Sequence, residues 1–247
     1  MAAIRTLALV IRSVDVFETS RVLTLYTREL GKVSALAKGA RRLKSPFQSG
    51  LDLLSVCDIV LLHKASEALD LLTEAVLAER YEALTHDTAA LYGGCYVAEL
   101  LDALTDRHDP HPRLFDASRV TLRHLGDPVS RPSRILRFEL ACLRELGLMP
   151  ALDTCVHCGQ PPSPTEGDRV AFGLATGGVL CPGCRPGQPH VATLSGDTLE
   201  AIRALASPGD AWKATWGDPE TLGPVRSTVG AVISHLIGRR PRLLPFV

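Results

Sequence analysis

The chain has 247 residues, of which 46% are hydrophobic and 22% charged, and its formal net charge is zero. That is a globular composition with enough apolar side chains for one large or two to three small domains. No apolar run approaches the roughly 20 residues of a membrane span, and a zero net charge taken alone argues against a nucleic-acid binder.

The charge is unevenly spread. Residues 1–50 carry nine basic side chains (Arg5, Arg12, Arg21, Arg28, Lys32, Lys38, Arg41, Arg42, Lys44) against three acids (Asp15, Glu18, Glu29). Of the 27 residues of each sign, 18 basic and 24 acidic remain for the rest. Such asymmetry points to an anionic partner near the N-terminal end. Aromatic residues make up 5%, so the core must rest on Leu, Val, Ile and Ala.

The first apolar stretch, MAAIRTLALVIRSVD, is flanked by Arg5 and Arg12 and leads to no cleavage site. It reads as a strand, not a signal peptide. Residues 1–75 read as β throughout. Strand candidates are 6–12, 21–27, 32–38, 56–63 and a weaker segment at 68–74, bounded by turns such as Glu29-Leu30-Gly31. Five short strands without a long intervening helix predict a small barrel or sandwich.

Residues 76–150 read as helical. Apolar spacings of three and four predict helices over 75–81, 88–104 and 114–125, with a break at Asp106-Arg107-His108-Asp109-Pro110-His111-Pro112. A further helix over 133–146 has Ser133 as its N-cap, a face of Ile135, Phe138, Leu140, Cys142, Leu143 and Leu146, and Gly147 as its stop. Residues 151–190 are rich in Cys, Gly and Pro, with little capacity for a core. Helical character returns at 194–206 and 225–237.

Four of the seven cysteines form two pairs, Cys155-Val156-His157-Cys158 and Cys181-Pro182-Gly183-Cys184, with 22 residues between them. Two CxxC turns supply the four soft ligands of a tetrahedral Zn²⁺. Gly159 and Gly183 permit the tight turns, and 169–174 with 177–180 reads as a hairpin that returns the second pair to the first. Disulfides are not expected without a secretory signal. Four thiolates close the shell to water and substrate, so this zinc is expected to be structural. No histidine is followed two residues later by Glu, as zinc deaminases require. Cys57, Cys95 and Cys142 read as small buried hydrophobes.

The segment from Gly31 to Lys44 places a strand before a glycine-hinged basic turn. Lys32, Ser34, Leu36 and Lys38 share one face of the strand, and Lys38, Arg41, Arg42 and Lys44 crowd the turn. This is either a phosphate-tracking groove or a solvated loop, and the regional charge favours the groove. Tyr26 and Phe47 are candidate base-stacking platforms or core residues. P-loop, nucleophile-elbow, zincin and dinucleotide motifs are missing, which supports a binding protein and not an enzyme. A zinc-ribbon RNA-binding or translation-associated factor would share the barrel and the cysteines.

The phrase Gly31-Lys32-Val33-Ser34-Ala35-Leu36-Ala37-Lys38-Gly39-Ala40-Arg41-Arg42, the helix with Phe138-Glu139-Leu140, and the pairs Cys155/Cys158 and Cys181/Cys184 together resemble the bacterial RecO recombination mediator family. The resemblance runs through essentially the whole chain. It implies an α+β multidomain protein: an N-terminal OB-fold (a five-stranded β-barrel) over 1–77, an all-α helical domain over 78–150 and 191–247, and a four-cysteine zinc-finger-like module over 151–190 inserted in it. It implies a non-enzymatic protein of DNA repair and recombination that binds single- and double-stranded DNA and anneals complementary strands without ATP. Its implied partners are RecR, the C-terminal tail of the single-strand-binding protein SSB and, indirectly, RecA, in the cytoplasm at the nucleoid and with no membrane. By position, Lys38, Arg41 and Arg42 would touch phosphate, with Lys32 and Lys44 flanking. Arg113, Arg119, Arg123, Arg134 and Arg137 offer cations for the acidic SSB tail, or structural ion pairs.

Overall fold

One long strand organises the N-terminal part of the chain. A computed structural model describes residues 2–42, 45, 47–48, 51–63, 69–162, 168–215 and 217–247, so Lys44 lies outside the described residues. Two units emerge, Met1–Gly126 and Asp127–Val247.

In the first unit, β1 (Ala2–Val16) pairs antiparallel with two partners along its length. Its first half pairs with β5 (Val56–His63), from Ala2↔His63 to Leu9↔Val56. Its second half pairs with β2 (Ser20–Thr27), from Ala8↔Thr27 to Val16↔Ser20. The β1–β2 register shifts between Val10 and Arg12. Such an irregularity bends the strand and raises its twist, the curvature a small barrel needs.

Next, β3 (Gly31–Ala37) pairs with β2, and β6 (Asp70–Glu79) pairs with β5. The ring closes because β3 also pairs, in parallel, with β6 at Ala35↔Asp70 through Ala37↔Leu72. The circuit β1-β2-β3-β6-β5 is a closed five-stranded, OB-like barrel, with the two-residue β4 (Phe47–Gln48) added beside β6. Alternation fills it. Val33, Ala35 and Ala37 of β3 are buried between half-buried Lys32, Ser34 and Leu36. Leu23, Leu25, Ile59, Leu61 and Leu72 supply the bulk of the interior. Each such side chain removed from water stabilises the barrel by about 1.5–3 kcal/mol.

The helix expected over 75–81 does not form. Ala75–Glu79 continue β6, with Ala75 paired to Ile59 and Leu77 to Cys57. The Ala-Leu-Glu composition favours a helix locally, but β5 needs an outer partner, and cross-strand packing overrides propensity. Helices follow immediately as α1 (Ala83–His86), α2 (Thr88–Leu104) and α3 (Pro112–His124). Asp87 caps α2 by accepting from the Ala89 and Ala90 N–H groups.

These helices brace the barrel. Arg28 reaches Asp116 at 3.1 Å, Arg119 pairs with Glu79, and the Tyr26 and Phe115 rings lie 6.4 Å apart. Gly31, at φ +67°, backs directly onto the Asp109 backbone with no room for a Cβ.

In the second unit, α4 (Arg131–Glu145) has Ser130 at its N-cap position, three residues ahead of the expected cap. Pro132 sits in the first turn, where its missing N–H costs nothing. Ser133 is instead fully buried. Gly147 ends the helix as expected, at φ +71°, with the Leu148 N–H donating to the Leu143 carbonyl.

A three-stranded sheet of order β8-β7-β9 follows, formed by β7 (Arg169–Gly173), β8 (Gly178–Leu180) and β9 (Val191–Ser195). The expected helix at 194 starts only after Ser195, which ends β9 and caps α5 (Gly196–Ala206) through the Thr198 N–H. The last helix, α6 (Pro219–Ile237), is tied to α4 by Glu139, fully buried, and Arg226 at 2.6 Å. Among the described residues no helix is long and apolar enough to cross a membrane.

Gly31→Ala combines a left-handed φ with a backbone overlap. It is expected to lower unfolding stability by about 2–3 kcal/mol, read from the midpoint of urea denaturation.

Candidate metal centre and nucleic-acid interface

The cysteine pairs meet because the backbone brings them together. The Ala151 N–H donates to the Gly177 carbonyl and the Val179 N–H to the Ala151 carbonyl, both at 2.9 Å, so the incoming chain lies along β8. Gly178 makes that approach possible, since a Cβ there would come within 2.6 Å of the Ala151 carbonyl oxygen. The Val156 N–H then donates to the Val179 carbonyl. The first CxxC turn is thereby pinned beside the end of β8, where Cys181 begins the second.

Each turn closes on itself. The Gly159 N–H donates to the Cys155 carbonyl and the Cys184 N–H to the Cys181 carbonyl. Gly159 takes φ +71°, as its place in the first turn requires. In the second half the left-handed glycine is Gly187, after the turn, not Gly183. The β7–β8 hairpin joins the two turns as the sequence predicted.

The four Sγ atoms lie within 4.8 Å of one another, with Cys158 and Cys181 at 3.7 Å. A tetrahedron with metal–sulfur bonds of about 2.3 Å has edges of about 3.8 Å, so the cluster has the dimensions of a four-sulfur metal site. Backbone N–H groups of Cys181 and Cys158 pull the Cys155 thiol down to about 6. Hydrogen bonds with the Cys181 and Cys158 side chains push Cys184 up to about 12. Four sulfurs this close resist ionising together, and a dication at their centre removes that resistance. The residues therefore fit a metal ion that would cross-link the two turns. With four thiolates around it, no position remains for a reacting molecule.

The other cysteines are of a different kind. Burial pushes the thiols of Cys57, Cys95 and Cys142 up, as expected of small core side chains.

The basic residues of the first unit divide into two groups. Arg5 is bound by Asp58 at 2.7 Å, Arg21 by Asp15 at 3.0 Å, and Arg28 by Asp116 and Glu29. Lys32, with a side chain only 13% exposed, turns to α2, where it meets the Asp102 carboxylate at 3.4 Å and the Asp102 carbonyl. Lys32 is thus drawn away from the turn it was expected to flank. Lys38, Arg41 and Arg42 are brought together, all exposed, just beyond β3. Arg41 shares Asp15 with Arg21, at 3.5 Å. Among the described residues Arg12, Lys38 and Arg42 make no ion pair. The turn is held by the Arg41 N–H donating to the Thr19 carbonyl and by Gly39, at φ +72°, over which the Arg42 side chain folds.

The stacking candidates named from sequence are core residues: Tyr26 and Phe47 are both buried. Sequence reasoning missed Asp15, which organises the arginines, and Phe17, exposed in the β1–β2 turn. The signal for Phe17 is an aromatic residue inside a turn segment, Asp15-Val16-Phe17-Glu18-Thr19. Most helix arginines expected to meet an acidic tail have local structural roles. Arg119 and Arg123 pair with Glu79, and Arg134 and Arg137 pack on Trp212 at 5.3 and 4.7 Å from the ring centre. Arg113 is exposed.

Comparison with known proteins decides the family. Residues 1–81 match the family model for the recombination protein O N terminal part, and residues 85–245 that for its C terminal part. The chain belongs to the RecO family. A DNA repair protein RecO of Rhodopirellula baltica is 39% identical over 98% of this chain and 97% of its own length. One of Anaeromyxobacter sp. (strain K) is 36% identical over 97% of this chain and 94% of its own length. A RecO of Bacillus pumilus is 30% identical over 81% of this chain and 75% of its own.

One metal ion per chain is expected in metal analysis of the purified protein. Cys181→Ala should bring that stoichiometry near zero and lower the thermal midpoint by several degrees. It should leave the folding of the first unit much less affected.

Proposed function

We propose that this chain is a non-enzymatic mediator of DNA repair and homologous recombination. It binds single- and double-stranded DNA, anneals complementary strands without ATP and, together with RecR, helps RecA load onto DNA covered by SSB. Family membership along almost the whole chain supports this reading. The observation that carries it is the group of exposed cations, Lys38, Arg41 and Arg42, gathered at one corner of an OB-like barrel.

Annealing needs no bond chemistry. Two strands repel through their phosphates, and a cationic surface that neutralises both lowers that repulsion. The displaced counterions supply much of the affinity. In this reading Lys38, Arg41 and Arg42 touch phosphate and Lys44 flanks them. Lys32, engaged by Asp102, is left out of the contact set.

The ion we assign to Cys155, Cys158, Cys181 and Cys184 is Zn²⁺, in a structural role. Four thiolates in a tetrahedron suit a d¹⁰ ion without geometric preference of its own. The working pieces we assign are the barrel over 1–77, whose last strand runs on to Glu79, helices over 78–150 and 191–247, and a zinc module over 151–190, whose sheet takes in Val191–Ser195 as its third strand. The acidic SSB tail meets the helical piece, where Arg113 is an exposed cation. The protein works in the cytoplasm, at the nucleoid.

The test is salt dependence. Replacing Lys38, Arg41 and Arg42 together by Ala should weaken duplex binding and lower the slope of log affinity against log salt by about 2–3, near 0.9 for each phosphate no longer neutralised. An unchanged slope would place the interface elsewhere. In a strand-annealing assay without ATP, the wild-type chain should accelerate pairing of complementary DNA and the triple variant should not. Acceleration confined to RNA would overturn the repair reading.

A further inference from the structure

The β1–β2 hairpin outruns the rest of the barrel. Pairing of β1 with β5 ends at Leu9↔Val56, whereas pairing with β2 continues from Arg12↔Thr24 to Val16↔Ser20. Five residue pairs therefore form an arm with β3 along one side, where Arg21 pairs with Ala37, and without β5 on the other. At its tip stands Phe17, 86% exposed, the most exposed of the large hydrophobic side chains described.

Two facts separate Phe17 from an ordinary surface aromatic. Its backbone is left-handed, φ +53°, a region unfavourable to any side chain with a Cβ and more so to a bulky one. A residue chosen for the turn alone would be Gly, Asn or Asp. The second fact is its company. The Arg41 N–H donates to the carbonyl of Thr19, two residues from Phe17, at 3.0 Å, and Asp15, two residues before it, meets Arg21 and Arg41. The tip and the basic turn are thus one corner. Behind the tip the outward face of the arm carries Arg12 and Val14, both exposed, and half-buried Val22.

An exposed ring beside Lys38 and Arg42, which make no ion pair among the described residues, has the parts of a single-strand platform: charges for the phosphates and a flat apolar surface for a base. The turn between the first two strands is also where OB-type barrels present loops to oligonucleotides. A duplex offers its phosphates but keeps its bases stacked inside, so the ring distinguishes the two.

We propose that Phe17 stacks on an unpaired base and gives this corner its preference for single strands. The inference rests on the nucleic-acid reading above and adds to it the residue that selects strand state.

Three probes of about 16 nucleotides separate the contributions: oligo-dT, an abasic single strand of equal length, and a duplex. Phe17→Ala should weaken oligo-dT binding roughly tenfold while changing the abasic strand and the duplex less than about twofold. Phe17→Trp should keep the oligo-dT affinity, with its indole fluorescence changing on binding. Phe17→Gly, which suits the left-handed backbone, should be at least as stable as wild type yet bind oligo-dT as poorly as Phe17→Ala. Its melting midpoint therefore separates a missing ring from a damaged fold. Oligo-dT binding unaffected by Phe17→Ala, or equal losses on all three probes, overturns this inference alone. Failure of the wild-type chain to bind any probe overturns the nucleic-acid reading as well.

Discussion

The division of β1 between two partners is the constraint on which the first unit depends. A strand of 15 residues is too long for one neighbour in so small a barrel. It gives its N-terminal half to β5 and its C-terminal half to β2, with the register shift at Val10/Arg12 where the two pairings meet. That arrangement turns a flat sheet into a ring, which β3 and β6 then close in parallel. It also fixes the corner to which we assign binding. Because β5 stops short, the hairpin tip projects, and because β3 runs beside β2, its following turn arrives at that tip. The barrel is the support, and the corner is the place where its strands end unequally.

A different force suits the cysteine segment. A buried cluster of Cys155, Ala171 and Leu180 lies around the four sulfurs, with Cys181, Cys184 and Val191 packed against it. Phe172, Val170 and Val179 of the same hairpin are also buried, but none of these side chains fixes the two cysteine turns to each other. Metal–sulfur bonds would supply that cross-link, and the backbone pairing of Ala151 with Gly178 prepares the geometry they need. One chain thus carries two answers to small size: closure of a sheet on itself, and a cage of sulfurs shaped for an ion.

The features readable from sequence are those whose chemistry resides in residue type and local spacing. Two CxxC turns and the hairpin between them are of this kind, and the structure brings all four sulfurs together. Alternation in Lys32–Lys38 likewise marked β3 and its inner face. Properties settled by distant partners were not legible. The charge excess of residues 1–50 shrinks because Arg5, Arg28 and Lys32 meet Asp58, Asp116 and Asp102, which lie 53, 88 and 70 positions away. Ala75–Glu79 looked helical until β5 claimed it. Tyr26 and Phe47 had the right side chain for stacking and the wrong burial, whereas Phe17 sat in a turn whose exposure depends on where β5 ends.

The corner has one more property, which concerns time. Its parts, from Arg12 to Arg42, are near one another in sequence, and the bond from Arg41 to Thr19 spans only that stretch. The pairings that complete the barrel are distant: Ala2 must find His63, and Ala35 must find Asp70. Loop closure makes short-range contacts the faster ones to form, and synthesis delivers the N-terminal residues first. The β1–β2–β3 meander, with its arm and basic turn, is therefore expected to form ahead of the ring that later locks it. Strand closure is left to rigidify a corner whose residues have already met.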